Sequence, residues 1–261
     1  MPQFQEKSIV LANERLSEQY FRLVLRAPVV AAQSQPGQFV MAACGTTLDP
    51  LLRRPFSIHR CPGDGTVHLL IKIVGKGTGL LAGLQPGESV DLLGPLGKGF
   101  SYQPELTSCL VGGGVGIAPL LFLVEQANLQ FPEHTPIVVF LGARTGEDVH
   151  RIGIEFQQLG CQVTIATDDG SLGHHGLVTE PLAEAISSMQ KAYVCGPMPM
   201  MAATAALCKV AGIGCEVSLE SHMACGLGAC LGCTVHGADG QYLHVCKRGP
   251  VVLAEEVAWE R

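Results

Sequence analysis

The sequence predicts three units in series, combining β and α/β architecture: a β-barrel over residues 1–101, a doubly wound parallel α/β domain over residues 102–214, and a small lobe over residues 215–261. Three observations predict this. Short apolar runs cut by Gly/Pro turns fill the first hundred residues, the pattern of a barrel or sandwich. Strand-like and helix-like segments then alternate, as in a parallel sheet covered by helices. The last stretch holds four closely spaced cysteines on little periodic structure, so it needs a metal group as a staple.

In the barrel, strands are expected at Ser8–Ala12, Tyr20–Leu25, Gln38–Ala42, Val67–Val74 and Ser89–Leu93. Turn signals separate them at Pro36-Gly37, Pro62-Gly63-Asp64-Gly65, Pro86-Gly87 and Gly94-Pro95, where glycine supplies unusual φ and proline fixes its own. A short helix is expected at Gly79–Leu84. In the α/β unit, Cys109–Gly112 reads as a strand running into glycines, and Ile117–Leu129 as the helix after it. Pro136–Gly142, Gln162–Ala166 and Lys191–Cys195 read as further strands, and Met198–Ala211 as a helix.

Composition bounds the function. Apolar residues make up 47% of the chain and charged residues 15%, which leaves a fairly apolar surface suited to a protein partner. Net charge is −6 and no basic block occurs, which argues against nucleic acid. No apolar run is long enough to span a membrane. The run Met1–Lys7 lacks a signal-peptide pattern, and eleven scattered cysteines fit a reducing compartment, so a cytoplasmic location is expected.

Cys225, Cys230, Cys233 and Cys246 are spaced C-x4-C-x2-C-x12-C, the plant-type pattern for a [2Fe–2S] cluster. Gly226, Gly228 and Gly232 let the loop wrap and aim N–H groups at sulfur. Zinc ribbons use two separated C-x2-C pairs, a disulfide framework needs an oxidising compartment, and a Rieske centre needs two histidines as ligands. The spacing therefore assigns single-electron chemistry to the lobe.

Arg53-Arg54-Pro55-Phe56-Ser57 stands at the end of an expected barrel strand. Arg54, Pro55, Phe56 and Ser57 resemble the R-x-[YF]-S signature of ferredoxin-reductase-type flavoproteins. An arginine fork suits a pyrophosphate and a serine hydroxyl suits the flavin edge. Leu70-Ile71-Lys72 and Gly77-Thr78-Gly79 follow at that family's separation. The resemblance implies that Leu70, Ile71 and Lys72 back the flavin of an FAD, and that Gly77 and Thr78 offer N–H groups to its phosphates. Gly94-Pro95-Leu96-Gly97 matches the turn that closes the barrel in the family, although a plain connector reads the same way.

Val111-Gly112-Gly113-Gly114-Val115-Gly116-Ile117-Ala118-Pro119 follows a strand and opens a helix, so Gly112, Gly113, Gly114 and Gly116 let a dinucleotide approach the helix start. Cys195-Gly196-Pro197 lies at another strand end. The resemblance implies that both segments flank a nicotinamide, with Cys195 and Gly196 lining it. Asp168 and Asp169 after the 162–166 strand would repel a 2′-phosphate, which favours NAD over NADP; the plain alternative is an Asp/Gly turn.

Over essentially its whole length the chain most closely resembles the electron-transfer subunits of type B dihydroorotate dehydrogenases. The sharpest match runs from Glu220 to Cys230 and from Val245 to Val251. The resemblance implies FAD, NAD and [2Fe–2S] cofactors, no substrate-oxidising residues on this chain, and an FMN-containing catalytic partner in a heterotetramer with two chains of each kind. Two other readings stay open here. One is the NADH-side subunit of another bifurcating, sulfide or hydrogenase-type oxidoreductase. In ferredoxin–NADP transhydrogenases an Asp commonly stands where Cys225 is. The other is a ferredoxin-like carrier or zinc-stapled interaction module, against which the flavin and nucleotide segments argue.

Overall fold

The computed structural model describes residues 3–45 and 49–259; Met1 and Pro2 of the N-terminal run lie outside the described residues. The first unit comprises β1 (Phe4–Arg15), β2 (Tyr20–Arg26), α1 (Pro28–Ala31), β3 (Phe39–Ala42), β4 (Arg54–Arg60), β5 (Thr66–Lys72), α2 (Lys76–Ala82) and β6 (Ser89–Leu96). Its strands close a barrel in the order β1-β2-β5-β4-β3-β6. Period-two alternation explains the closure. Phe21, Leu23 and Leu25 of β2 pair with Ile71, Leu69 and Val67 of β5, and all six enter the barrel core. Each such buried side chain is worth about 1.5–3 kcal/mol. The intervening residues Tyr20, Arg22, Leu70 and Lys72 face the other way, toward the α/β domain.

The second unit comprises β7 (Ser108–Gly113), α3 (Ala118–Gln130), β8 (Ile137–Ala143), α4 (Gly146–Gln158), β9 (Gln162–Thr167), β10 (His174–His175), α5 (Thr179–Ala185), β11 (Lys191–Cys195), α6 (Met198–Ala211) and β12 (Gly214–Ser218). After it come β13 (Thr234–His236), β14 (Tyr242–His244), α7 (Val245–Arg248) and β15 (Val251–Leu253). One seven-stranded sheet runs β10-β9-β8-β7-β11-β12-β15, parallel except for its last pair. The chain moves outward from β7 to β9 and then returns to place β11 on the other side of β7. The switch point between β7 and β11 is where such sheets open a crevice. No helix of the described residues is long and apolar enough to cross a membrane.

Three expectations need correction. Gly94-Pro95-Leu96 is not a turn but lies inside β6, where Gly94 pairs with Phe4 and Leu96 with Phe39. A Cβ on Gly94 would meet Val40 Cγ1 at 2.7 Å, so close packing explains that glycine. The Arg54–Ser57 tetrad opens β4 rather than ending a strand. The expected start of the lobe at residue 215 falls inside β12, and β15 extends the same sheet. Leu243, Val245, Cys233 and Val257 share a core with Val194 and Val217, so the lobe is anchored by apolar packing as well. Helices α4 and α5 lie outside the segments assigned from sequence. In α4, Val149, Ile152 and Phe156 form the buried stripe, while its charged residues meet the barrel.

Candidate functional site

Two clefts meet between barrel and sheet. The larger, about 580 Å³, lies at the switch point and is walled by Gly113, Gly114 and Gly116 after β7 and by Gly196 and Pro197 after β11. Gly114 has φ +54, a left-handed conformation that glycine adopts without penalty. A Cβ on Gly116 would meet Gly196 Cα at 2.5 Å, so two backbones touch there and neither glycine tolerates a side chain. Gly112 lies under this loop, packed against Ile117, and does not line the cleft. Cys195 does not line it either. It is buried at the end of β11 beside Gly112, with burial pushing its thiol strongly up, and Gly196 and Pro197 form the wall at that point.

The far end of this cleft takes in Ala143, Arg144, Asp148 and Asp168 from the ends of β8, α4 and β9. Of the two expected aspartates, only Asp168 lines it. The Asp169 carboxylate accepts bonds from the Ser171 amide at 3.0 Å and the Ser171 hydroxyl at 2.6 Å, which hold it below the usual carboxylate range. Asp169 is thus a turn residue. From the barrel come Tyr20 and Lys72, with Lys72 Nζ 5.4 Å from the centre of the Tyr20 ring. Burial first, then nearby Asp148, pushes the Tyr20 hydroxyl up to about 12, so it stays a neutral donor. The dimensions and glycine-lined floor suit a dinucleotide.

The second cleft, about 300 Å³, is lined by Pro55, Phe56 and Ser57 of β4, Leu70, Ile71 and Lys72 of β5, and Thr78 of α2. Its opposite wall is Ser218–Ser221, Met223 and Pro250. Lys72, Val115 and Glu220 line both clefts, so the two are continuous. Glu220 is an exposed residue on that wall, and desolvation by the protein packed around its carboxyl raises it above the ordinary range. Beyond the Thr78 end, Arg53 is held by Asp91 at 2.7 Å, and Arg54, whose Nη1 donates to the Leu52 carbonyl at 2.8 Å, lies beside Gly77 at the start of α2; neither arginine nor Gly77 lines the cleft. The Thr78 hydroxyl accepts from the amides of Val74 at 2.9 Å and Gly75 at 3.2 Å, which fixes the turn that presents this helix end. An apolar slot with a guanidinium and a glycine turn at one end suits a flavin and its pyrophosphate.

The four lobe cysteines come together as two pairs. Cys233 Sγ lies 3.1 Å from Cys246 Sγ, and both are buried. Cys225 accepts the amide of Cys230 at 3.4 Å and that of Leu227 at 3.4 Å, and the Cys230 thiol reaches it too. These donors, the Cys230 amide first, bring the Cys225 thiol down to about 6. Further amides reach sulfur from Gly228 to Cys246 at 3.1 Å, Gly232 to Cys230 at 3.5 Å and Cys246 to Cys233 at 3.3 Å. Burial and the neighbouring Cys233 thiol push Cys246 up to about 12, a load that metal coordination relieves. Among the described residues no three His, Cys, Asp or Glu side chains form a group that could hold a single ion. Two thiol pairs with amides aimed at sulfur fit two irons, each taking two thiolates. Gly226 and Gly228 do take positive φ, but the third such residue is Leu231 at φ 58, not Gly232. A non-glycine residue held there marks a constrained loop.

The path between clefts and cysteines is short in sequence. The wall segment Ser218–Met223 ends two residues before Cys225, and Pro250 stands four after Cys246. Gly226 sits on the barrel, where a Cβ would meet Met41 Cγ at 2.6 Å. Sequence reasoning singled out neither Tyr20, Arg144 and Asp148 nor Glu220 as a cleft residue. Only the Gly-Ala-Arg at the end of β8 gave a usable signal, a basic residue after a parallel strand.

Comparison with known proteins agrees with this layout. Family models match an oxidoreductase FAD-binding domain over residues 7–102, an oxidoreductase NAD-binding domain over 110–206, and the iron–sulfur cluster binding domain of dihydroorotate dehydrogenase B over 220–258. The chain is 41% identical over 259 residues to the dihydroorotate dehydrogenase B (NAD(+)) electron transfer subunit of Desulforamulus reducens, covering 96% of this chain and 97% of that one. It is 38% identical over 258 residues to the subunit of the same name from Geobacillus kaustophilus, covering 97% and 98%. Among solved structures, a NADH-dependent reduced ferredoxin-NADP oxidoreductase superposes with TM-score 0.86 at 28% identity, covering 97% of this chain and 90% of that chain. A ferredoxin reductase of carbazole 1,9a-dioxygenase gives TM-score 0.69 at 25% identity over 82% and 67%.

Proposed function

This chain belongs to the electron-transfer subunits of dihydroorotate dehydrogenase B, and from that premise we propose which of its residues hold each cofactor and where its partner docks. It is a flavin- and iron–sulfur-dependent oxidoreductase subunit with FAD-, NAD- and cluster-binding domains. Bound FAD supplies the change-over between hydride and single-electron traffic. The observation that carries the residue-level reading is the shared wall. Residues 218–223 and Pro250 line the slot between barrel and sheet and lead directly into the segments bearing Cys225 and Cys246.

Arg54, with Gly77 and Thr78, holds the pyrophosphate; Pro55–Ser57 and Leu70–Lys72 hold the isoalloxazine. Gly113, Gly114, Gly116 and Gly196 admit the nicotinamide dinucleotide next to it. Cys225, Cys230, Cys233 and Cys246 ligate the cluster. Cys230 and the flanking Leu227 and Leu231 are exposed, at 44% and 51% for the two leucines, which gives a small apolar rim at the lobe surface. A catalytic subunit carrying FMN docks on that rim, in a heterotetramer of two chains of each kind. The route runs from dihydroorotate through FMN, [2Fe–2S] and FAD to NAD+. Mixing the two purified chains tests this: NAD-linked dihydroorotate oxidation is expected only when both are present.

Two substitutions test the nucleotide assignments. Arg54→Ala removes a charge-assisted fork from phosphate, a loss on the order of 2 kcal/mol or about thirtyfold in flavin affinity. Flavin content after gel filtration should fall while iron content stays. Full retention of FAD would show that another residue holds the pyrophosphate. For the dinucleotide, NADH should reduce the bound flavin faster than NADPH. Asp168→Arg should narrow that gap by roughly tenfold, the scale of charge contacts near a protein surface. Asp169→Arg should leave it nearly unchanged, because Asp169 is occupied with Ser171. A gap that responds to Asp169 instead would reverse the assignment.

A further inference from the structure

Polar bonds join α4 to the barrel at four points along the helix. Ser17 donates to Asp148 at 3.0 Å, the Glu18 amide donates to Glu147 at 3.2 Å, and Arg151 donates to the Arg15 carbonyl at 2.9 Å. One turn further on, Glu155 takes Arg22 Nη2 at 2.5 Å, with the Arg22 side chain only 8% exposed. Residues 147, 148, 151 and 155 share one helix face. The ladder touches the dinucleotide cleft at its Asp148 end and runs close to it at the other. Asp148 lines it, and Arg22 lies two residues along β2 from Tyr20, which also lines it.

Arg22 also pairs with the exposed Glu14 at 3.5 Å, and behind it the network continues inward to His59 and outward to the part-exposed Arg60. His59 is fully buried, and its Nδ1 lies 2.8 Å from the Ala118 carbonyl at the start of α3. A carbonyl only accepts, so Nδ1 carries the proton and Nε2 accepts from Arg22 at 3.4 Å. Burial first, then Arg22, drives this ring down to about 3, so it stays neutral. Arg60 binds Glu125 of α3 at 2.5 Å and approaches Glu155 at 3.8 Å. The bonding is incomplete: Arg22 Nε, Glu125 Oε2 and Glu155 Oε2 are buried without a hydrogen-bond partner. Such a network is weak support for stability, since apolar side chains of similar volume often do better. What it offers is direction. An apolar contact can slide, whereas a guanidinium fork on a carboxylate fixes angle and distance.

We propose that α4 is the strut that sets the nucleotide sheet against the flavin barrel, and that Arg22 and Glu155 are positioning residues for hydride transfer between nicotinamide and flavin. The proposal rests on the cleft assignments given above. Hydride transfer needs the reacting atoms about 3–3.5 Å apart, and a displacement of about 1 Å can cost 10²-fold. The nicotinamide is held by the sheet and the flavin by the barrel, so their separation follows the inter-domain contacts: α3, whose Phe122 enters the barrel core, supplies the apolar one and α4 the directional polar one.

The test replaces the fork by apolar side chains of similar length, Arg22→Met with Glu155→Met, in the full chain loaded with flavin and cluster. Thermal stability and flavin content should be kept, and NADH affinity should change less than about threefold. The rate constant for flavin reduction by NADH should fall at least tenfold. The long-wavelength charge-transfer band of nicotinamide over flavin should weaken, and hydrogen exchange at residues 16–19 should quicken. Arg22→Lys, which keeps the charge without the fork, should recover part of the rate. An unchanged rate and band in the folded double variant would overturn the proposal. If that variant does not fold, Glu155→Gln carries the test: it should show the same signature at several-fold size, and a wild-type rate there overturns the proposal equally. Failure of the unmodified protein to reduce its flavin with NADH is a separate result, which would overturn the cleft assignments and this proposal with them.

Discussion

Changing Cys233 or Cys246 to serine is expected to abolish the visible absorbance of the cluster and to stop all electron exchange with the partner subunit. Both thiols are buried, 3.1 Å apart, and each receives a backbone amide. A serine hydroxyl at either position is a hard, poorly ionised donor in a site built for thiolate. Iron and sulfide should fall from two each per chain, whereas Cys161→Ser, in the core under α4, should leave both unchanged. Flavin reduction by NADH should survive, because the barrel and sheet form the two clefts largely without the loop. The lobe should not unfold as a whole. Leu243, Val245 and Val257 share the core of the sheet, and β15 remains hydrogen-bonded to β12. Proteolysis should therefore open only the loop at 225–232. Stoichiometric zinc in the unmodified protein, with no visible absorbance, would overturn the cluster assignment.

That loop was legible in sequence because its chemistry is contiguous. Three ligands and their glycines stand within nine residues, and one spacing rule covers them. The flavin tetrad and the Gly112–Gly116 run stood out for the same reason, although Gly112 lies under the loop and does not line the cleft. What was not legible is assembled from separate elements. Tyr20, Arg144, Asp148 and Glu220 come from the starts or ends of β2, β8, α4 and β12, and only Arg144, after a parallel strand, carries a local signal. Neighbours were also indistinguishable. Asp168 and Asp169 are chemically alike, and only the turn that ties Asp169 to Ser171 leaves Asp168 at the cleft. Cys195 stood at the right strand end, but strand geometry turns it into the core and gives the wall to Gly196. Leu231 takes a positive φ that no propensity would assign to leucine. The α4 ladder is hidden most completely, because its partners lie more than a hundred residues away in the chain.

The purified chain, loaded with flavin and cluster, is expected to reduce an artificial one-electron acceptor with NADH and to leave dihydroorotate untouched. Oxidising dihydroorotate means removing a proton beside a carbonyl and passing a hydride to a flavin. That needs a positioned base within hydrogen-bond reach of a substrate held against a flavin face. The buried His59 and the half-buried His68 are poor candidates. His59 is locked between Ala118 and Arg22, and His68 is pushed down to about 4 by burial and then by Arg60. Glu220 is the one carboxyl with a raised pKa that lines both clefts, but it stands where nicotinamide and flavin must meet, so a third ring has no room beside it. On the proposed reading the substrate is oxidised on the partner. Adding a dihydroorotate-oxidising flavoprotein of this enzyme class should give NAD-linked orotate formation, and Cys233→Ser in this chain should eliminate it while NADH still bleaches the FAD. Dihydroorotate turnover by this chain alone would place a base where the clefts leave none. Failure to couple to that flavoprotein, with NADH reduction intact, would keep the two nucleotide sites and reject the docking rim around Cys230.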